Sequence, residues 1–289
     1  MRNKLKQLIQ NVLNFFGLRI VKISISNSIK IQRSDSSDHK LNEMQINLAA
    51  WSAKRNGLMR GDVEKRYLES ICAFENGHGG SEFRSFCDLS YKIFSPLFGD
   101  TPGELHNSYQ FYGTLHLLRM ASYPDSGFSN EDDILGDLRS KDEVVILDFG
   151  CGLAQKSRSI AKKLKVNGTK VHLMLADIST IRKDFLIWVC EKEQIGCAFY
   201  DCTEAEPIPE FPTFDVLVAT EVFEHVNNPI KYFDTLNQKF KPNGILITNV
   251  CDHTNEFMHI SPRLEPLKKH ILNNGFLEVQ ENTIFKKII

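Results

Sequence analysis

Residues 144–154 decide the fold, and they read Val-Val-Ile-Leu-Asp-Phe-Gly-Cys-Gly-Leu-Ala. Four consecutive apolar residues are typical of a parallel strand buried on both faces, and this strand ends at the acid Asp148. Gly150 and Gly152 then predict a tight turn whose backbone can lie directly against a ligand, because no side chain intervenes. Ala154 takes the position of a third glycine, where only a small residue is needed. With the helix formers that follow, the stretch predicts a nucleotide-binding crevice at the carboxyl edge of a sheet.

The acid in this stretch indicates which nucleotide the crevice takes. A dinucleotide places its pyrophosphate at the start of the helix, and the carboxylate of Asp148 would repel that anion. The same carboxylate suits the amino-acid end of S-adenosylmethionine. Residues 148–154 resemble motif I of the class I S-adenosylmethionine-dependent methyltransferases, in particular the ubiquinone-type group with its methyltransferase-11 and -23 relatives. The resemblance implies that Asp148, Gly150 and Gly152 contact this cofactor.

Two further acids end the next two predicted strands. The strand from Val171 to Ala176 runs into Asp177, which is placed to accept hydrogen bonds from two ribose hydroxyls. An alternative role for Asp177 is to cap the helix that follows. The strand from Cys197 to Tyr200 runs into Asp201 and Cys202, a position that touches the adenine ring in the family that the chain resembles. The alternative for Asp201 is a loop acid that faces water.

Strands and helices alternate through the rest of the chain. The fourth strand, 214–219, runs into Thr220, which the resemblance places beside the cofactor, and the fifth strand covers 245–250. Two last strands, 276–280 and 283–288, are joined by a connection short enough for an antiparallel hairpin. We therefore predict an α/β fold with a Rossmann-like, doubly wound, seven-stranded sheet that is mostly parallel and has an antiparallel last strand.

The pattern divides the chain into three regions. Residues 1–33 are a basic amphipathic segment, residues 34–141 a helical lid and substrate region, and residues 142–289 the methyltransferase domain. In similar methyltransferases, helices ahead of motif I close over the cofactor and exclude water. Helices are predicted at about 40–56, 61–75, 81–95 and 104–122. Residues 124–143, rich in turn residues and acids, are predicted to be a loop.

The segment after the fourth strand, Glu221-Val-Phe-Glu-His225, holds the candidates for chemistry. If a helical turn begins at Glu221, the positions i, i+3 and i+4 bring Glu221, Glu224 and His225 to one face. Two carboxylates and an imidazole form a candidate site for Mg²⁺ or Mn²⁺. The spacing resembles that of ubiquinone-type O-methyltransferases and of small-RNA 2′-O-methyltransferases, and this resemblance implies a divalent ion that binds the acceptor oxygen.

Two alternatives to a metal remain open for this segment. Glu224 and His225 can position the substrate and remove its proton without a metal, or the segment can be structural. His259, after the fifth strand, is either a further metal ligand, as the resemblance to the RNA enzymes implies, or part of the lead-in to the last helix. In the second case Ser261 is predicted to cap that helix.

The charge of the chain is distributed unevenly. Residues 1–34 contain seven Lys or Arg and no acid, which leaves 28 basic and 36 acidic residues and a net charge of −8 for the remainder. A domain of that charge is not expected to bind nucleic acid, which requires a basic groove. Apolar residues at helical spacing over 5–16 give residues 1–25 an apolar face. That face fits an anionic membrane surface or, alternatively, the same protein or a second subunit in an oligomer.

Composition and motifs together predict a function class. The seven cysteines are odd in number and include no Cys-x-x-Cys pair, which argues against a disulfide framework and predicts a cytoplasmic protein, membrane-associated if residues 1–25 bind lipid. We expect O-methylation of a hydroxyl on a small molecule, a sugar or a lipid-linked intermediate by in-line displacement. The alternatives are an RNA 2′-O-methyltransferase that uses a divalent metal, and a non-catalytic cofactor-binding scaffold protein.

Overall fold

The computed structural model describes residues 40–75, 89–90, 92–97, 114–122, 131–178, 181–252 and 259–288. The helices are α1 (Glu43–Asn56), α2 (Arg60–Glu75), α3 (Glu131–Arg139), α4 (Gln155–Val166), α5 (Ile181–Lys192), α6 (Pro229–Asn237) and α7 (Glu265–Asn273). The strands are β1 (Glu143–Phe149), β2 (Lys170–Ile178), β3 (Gly196–Cys202), β4 (Phe214–Ala219), β5 (Phe240–Thr248), β6 (Phe276–Gln280) and β7 (Ile284–Lys287). Residues 114–121 are also helical, and short 3₁₀ turns cover Ser95–Leu97 and Phe223–His225.

These strands form one seven-stranded sheet in the order β3-β2-β1-β4-β5-β7-β6. The first five strands pair in parallel, and β7 runs antiparallel to both β5 and β6. The predicted mostly parallel sheet with an antiparallel last strand is therefore confirmed. The chain winds outward from β1 to β3 and then returns to β4 on the other side of β1. Such a reversal of strand order opens a crevice at the carboxyl ends of the strands.

The core lies on both faces of the sheet. Side chains of neighbouring strand residues point to opposite faces. Ile146 belongs to the apolar cluster that also contains residues of α1, α3, α4 and α5, and Leu147 to the cluster that contains residues of α6 and α7. The central strand β4 is buried along its whole length. This double burial is the physical reason for the continuous apolar runs that predict the strands.

The N-terminal helices share the core of the sheet. Asn42 and Gln45 form a reciprocal capping box at the start of α1, with hydrogen bonds of 2.8 and 2.9 Å, and α1 ends at Gly57 with a left-handed φ of 66°. Trp51 of α1 meets Phe185 of α5 edge to face, with ring centroids 5.4 Å apart. The described residues beyond position 38 accordingly belong to one compact unit.

The predicted loop over 124–143 is wrong in its second half, where α3 covers Glu131–Arg139. Ile134, Leu135 and Leu138 are buried on one side of α3, which contacts α4. Their spacing is helical, but Gly136, Asp137 and the acids before Ile134 give the segment a composition typical of loops. Tertiary burial of three apolar residues therefore overrides the local turn signals.

Some predicted regions lie outside the described residues. These are the basic segment 1–33 and parts of the predicted helices 81–95 and 104–122. Within the described ranges, no helix combines the length and the apolar character that crossing a bilayer requires.

Candidate functional site

Polar side chains from four strand ends meet at the carboxyl edge of the sheet. Asp148 lies in β1, and Asp177 of β2 lies directly opposite Asp201 of β3 in the parallel register. Thr220 follows the last residue of β4, which pairs with β1 on its other side. Because parallel strands end at the same edge, the fold brings these four predicted residues to the crevice where the strand order reverses.

The turn after β1 has the predicted glycine geometry. Gly150, Gly152 and Ala154 adopt positive φ angles of 67°, 52° and 51°. The amide groups of Gly150 and Cys151 donate to the carbonyl of Ala176 at 2.8 and 3.1 Å, which fixes the turn on the end of β2. Ala154 therefore adopts a backbone conformation that is unfavourable for alanine, since a left-handed φ at an alanine costs about 1 kcal/mol relative to glycine.

Two apolar side chains lie close to the glycines. A Cβ atom at Gly150 would come within 2.5 Å of Cγ2 of Val222, and one at Gly152 within 2.8 Å of Cε of Met120. Val222 belongs to the segment after β4, and Met120 to the helical residues 114–121. The glycine motif predicts close approach but not the groups that make it, since those come from distant parts of the chain.

Asp148 is buried at the end of β1, with 4% of its surface exposed, and accepts a hydrogen bond from Oγ of Ser157 in α4. Burial raises the pKa of Asp148 to about 7; the hydrogen bond from Ser157 opposes this rise, and the charge of Asp177 adds to it. A low-dielectric environment disfavours the ionised carboxylate. A cationic ligand group beside Asp148 would favour the ionised form again.

Each of the other two acids is paired with a cation from the first turn of α5. Nη1 of Arg182 lies 3.1 Å from Oδ2 of Asp177, and Nζ of Lys183 lies 2.7 Å from Oδ2 of Asp201. Neither cation is a candidate on the sequence patterns above. A signal for them does exist, because two consecutive cations at the start of a helix oppose the helix dipole and indicate nearby acidic partners.

Cys202 and Thr220 are both half-buried at this edge. Burial, together with the charges of Asp177 and Asp201, raises the pKa of Cys202 to about 12. The thiol of Cys202 therefore stays protonated at neutral pH, which suits a wall of a binding site better than a nucleophile.

The turn after β4 brings together two of the residues predicted to carry the chemistry. Glu224 is fully buried in this 3₁₀ turn, and His225 is exposed. Ligating atoms of Glu224, His225 and His259 lie within 4.8 Å of one another, and the two imidazole rings meet edge to face. The backbone carbonyl of Glu224 accepts hydrogen bonds from the amides of Ile260 and Ser261, both at 2.8 Å. We call Glu224, His225 and His259 the acid–imidazole cluster.

The carboxylate of Glu224 is the unusual group in this cluster. Its side chain is fully buried, and neither oxygen has a hydrogen-bond partner among the described residues. A buried carboxylate without partners is costly, so a cation or a ligand donor at this place would stabilise the fold. One carboxylate and two imidazoles suit a transition-metal ion better than Mg²⁺, because Mg²⁺ prefers oxygen ligands.

Glu221 lies outside the cluster, contrary to the predicted convergence of Glu221, Glu224 and His225. Its φ of 55° is left-handed, so the turn does not begin at this residue. Asn249, which follows β5, accepts a hydrogen bond from the amide of Glu221 at 2.7 Å and donates one to its carboxylate. The i, i+3, i+4 argument assumes a regular helix, and the observed backbone at Glu221 breaks that assumption.

The predicted cap of the last helix is also different. The hydroxyl of Ser261 donates to the carbonyl of Val226 at 2.6 Å, which ties the segment to the cluster instead of capping α7. Oδ1 of Asp252 accepts from the amides of Leu264 and Glu265 at the start of α7, at 2.8 and 3.2 Å. Asp252 thus takes the capping role, from a position 13 residues before the helix begins.

The chain is similar to known methyltransferases. The sequence model of the methyltransferase-23 family, described as "Methyltransferase domain", matches residues 126–279, which is more than half of the chain. The mitochondrial ubiquinone biosynthesis O-methyltransferase of Schizosaccharomyces pombe is 28% identical over 120 residues, which are 38% of this chain and 38% of that protein. The chain thus matches well under half of the length of this curated relative.

Two solved structures are also similar. TehB from Haemophilus influenzae has a TM-score of 0.42 and 18% identity, covering 58% of this chain and 65% of the TehB chain. The N-methyltransferase NodS from Bradyrhizobium japonicum has a TM-score of 0.36 and 14% identity, covering 55% of this chain and 99% of that one. On the match over residues 126–279 and the sheet that carries it, the chain belongs to the methyltransferase-23 family and contains the domain of a class I S-adenosylmethionine-dependent methyltransferase.

Proposed function

We propose that this enzyme methylates a hydroxyl group on a small molecule, a sugar or a lipid-linked intermediate. The observation that carries the proposal is the acid–imidazole cluster. Two of its three residues lie in the turn that follows β4 at the carboxyl edge of the sheet. An imidazole beside a buried carboxylate suits removal of a hydroxyl proton. The similarity to a ubiquinone biosynthesis O-methyltransferase supports a hydroxyl acceptor. The end of β4, Ala219-Thr220-Glu221, also lacks an Asn-Pro-Pro-Tyr-like signature for amino-group methylation.

The donor set of the crevice fits S-adenosylmethionine. In this proposal Asp148 lies toward the amino group, the backbone at Gly150 and Gly152 lies against the cofactor, and Asp177 accepts from the ribose hydroxyls. The remaining cofactor contacts are Asp201, Cys202 and Thr220. The fit rests on chemistry that the structure displays: an acid whose burial would be relieved by a cation, and a second acid at the end of β2.

The protein's own residues then have limited tasks. When bound, S-adenosylmethionine would supply an activated methyl group on a positively charged sulfur, which makes the sulfur a good leaving group. His225 takes the proton from the acceptor hydroxyl, and Glu224 stabilises the imidazolium that results. The fold contributes proximity and alignment of the two reactants, which is the main catalytic requirement for an activated methyl donor.

A divalent metal is the second way in which this cluster can serve the reaction. Glu224, His225 and His259 would hold the ion, which would lower the pKa of an acceptor hydroxyl and orient its oxygen. The buried carboxylate without a partner and the two neighbouring imidazoles support this assignment. Glu221 would join only after a change in its backbone and in its contacts with Asn249.

The region that precedes the methyltransferase domain and the alternative substrate class remain to be assigned. We assign residues 34–141 as a lid, which is supported by the position of Met120, whose Cε lies 2.8 Å from where a Cβ atom at Gly152 would be. An RNA 2′-O-methyltransferase is the second candidate function, and the position of His259 beside Glu224 and His225 favours it. The net charge of −8 beyond residue 34 opposes it, because RNA binding requires basic surface.

Calorimetry with S-adenosylmethionine and with S-adenosylhomocysteine tests the cofactor assignment. We expect the wild type to bind both and Asp177→Ala to weaken binding at least about tenfold, because hydrogen bonds to a charged group are lost. Asp184→Ala is the matched control, since Asp184 is an exposed acid of α5 paired with Arg55. Wild-type protein that is folded and does not bind either compound would contradict the proposed function.

Transfer of labelled methyl groups to phenolic, sugar and RNA acceptors separates the two candidate functions. Labelling of the phenolic or sugar hydroxyls, reduced in His225→Ala, is the result expected of the first. Labelling confined to the RNA 2′-hydroxyls would contradict small-molecule O-methylation and support the RNA 2′-O-methyltransferase.

A further inference from the structure

Two cationic side chains lie at the N-terminus of α5, where the helix dipole disfavours positive charge. Arg182 and Lys183 are the second and third residues of this helix, where the partial positive charge of the helix N-terminus disfavours them. Both reach acids at the carboxyl edge of the sheet, Asp177 and Asp201. The pairing of Arg182 with Asp177 is the more buried of the two, with 18% and 9% of the side chains exposed. The cost of this placement suggests a role beyond helix stability.

The hydrogen bonds of Asp177 show what Arg182 does there. A carboxylate offers about four acceptor positions. Donors among the described residues take three of them: the amide of Gly152 at 2.9 Å, the amide of Ile178 at 2.8 Å and Nη1 of Arg182 at 3.1 Å. One position is left, whereas the two ribose hydroxyls of the cofactor require two. One donor must therefore leave when a ribose binds.

Arg182 is the donor that can leave. The amides of Gly152 and Ile178 are backbone groups, held by the glycine turn and by the pairing of Ile178 with β3. Arg182 donates through a long side chain with several rotatable bonds, whose conformation changes without unfolding the helix. Oδ2 of Asp177, which accepts from both Gly152 and Arg182, is the oxygen whose partners must change.

We propose that Arg182 competes with the ribose hydroxyls for Asp177 and so sets the affinity of this enzyme for adenosine-containing ligands. Binding exchanges one ion pair for hydrogen bonds to the ribose, with Arg182 turning away from Oδ2. The proposal rests on the proposed function, in that it takes Asp177 as the ribose acceptor. Arg182 is a specificity-determining residue in this scheme and does not touch the reacting atoms.

The consequence is specific to the ribose hydroxyls. Without Arg182, a ligand that carries both hydroxyls no longer displaces an ion pair, and its affinity rises. A ligand without those hydroxyls never had to displace Arg182, so its affinity stays unchanged. A purely electrostatic effect of removing a positive charge would not distinguish two uncharged nucleosides that differ only in their hydroxyls.

The experiment measures dissociation constants for adenosine and 2′,3′-dideoxyadenosine by competition against S-adenosylhomocysteine. The variants are Arg182→Met, which keeps the length of the side chain, and Arg182→Gln in case the first does not fold. Arg55→Ala is the control, because Arg55 forms an exposed ion pair with Asp184 of the same helix at 2.7 Å. We expect Arg182→Met to bind adenosine about three- to fivefold more tightly than the wild type, the range for loss of a weak ion pair.

The outcomes are separable. Tighter adenosine binding with unchanged dideoxyadenosine binding, in Arg182→Met but not in Arg55→Ala, supports the proposal. Unchanged or weaker adenosine binding in both Arg182 variants overturns it, and the proposed function stands if Asp177→Ala still weakens the binding of S-adenosylhomocysteine at least about tenfold. Equal gains for both nucleosides also overturn it, because the hydroxyls then play no part. Failure of the wild type to bind S-adenosylhomocysteine overturns both.

Discussion

Asp148 carries an ionisable carboxyl group into the interior where β1 ends. Its burial raises its pKa to about 7 from an ordinary value of 3.8. The folded state therefore favours the protonated form, and the stability gained from protonation is complete below about pH 4. That contribution falls as the pH rises from about 4 to 7, because the folded protein must then ionise a group that burial disfavours.

This behaviour gives a prediction for Asp148→Asn. Between pH 4 and pH 8 the free energy of unfolding of the wild type should fall relative to that of the variant, by up to about 4 kcal/mol. Urea unfolding at several pH values measures the difference. Asp184→Asn is the control, because it makes the same substitution at an exposed acid of α5. Parallel profiles for the wild type and Asp148→Asn would contradict the role of burial.

At the scale of elements, the acid–imidazole cluster depends on two segments that meet. The 3₁₀ turn after β4 supplies Glu224 and His225, and the segment before α7 supplies His259. Hydrogen bonds from Ile260 and Ser261 to the carbonyl of Glu224 dock the second segment on the first. The docking brings two imidazoles to a buried carboxylate, which no single helical turn could do.

The composition of the acid–imidazole cluster predicts that it prefers a transition-metal ion to Mg²⁺. We expect the wild type to bind Mn²⁺ more tightly than Mg²⁺, because imidazole nitrogens favour a transition metal. Electron paramagnetic resonance of free Mn²⁺ measures this binding. Glu224→Gln and His259→Ala should each weaken it at least about tenfold. His270→Ala is the control, because His270 is paired with Asp234 on another part of the domain. Equal Mn²⁺ binding by the wild type and Glu224→Gln would exclude a metal site at the acid–imidazole cluster. His225 would then remain as a base that acts without a metal.

At the scale of the whole molecule, the charge is split between a basic first segment and an acidic remainder. Residues 1–34 carry seven cations, and the rest of the chain has a net charge of −8. An anionic membrane attracts the first and repels the second. We therefore propose that any contact with lipid is made through residues 1–25.

Sedimentation of the full chain with vesicles tests this proposal. Binding should require anionic lipid, should weaken at high salt, and should fall about thirtyfold in Lys4→Gln/Lys6→Gln, at about 1 kcal/mol for each lysine. Lys54→Gln/Lys65→Gln is the control, because both of these lysines are exposed on α1 and α2. Binding that is the same for neutral and anionic vesicles would contradict the proposal. Self-association of the chain without vesicle binding would indicate that residues 1–25 contact protein and not lipid.

Much of the architecture is predictable because it depends on local patterns. Continuous apolar runs ending in Asp148 and Asp177 predict parallel strands buried on both faces, and the structure has β1 and β2 there. Glycine spacing predicts the turn between β1 and α4, since few other residues adopt its positive φ angles. The helix α3 is the main exception, because three buried apolar residues outweigh a composition typical of loops.

The sequence by itself determined the succession of strands along the chain, the glycine turn and the acids that end the strands, because each follows from residues that are neighbours in the chain. Only the tertiary structure decided which groups meet those residues. Arg182 reaches Asp177 across a change from strand to helix, His259 joins Glu224 across β5, and Glu221 turns toward Asn249. Pairs of this kind depend on the direction of side chains from separate elements, and hydrophobic periodicity, which fixes only the faces of those elements, carries no information about them.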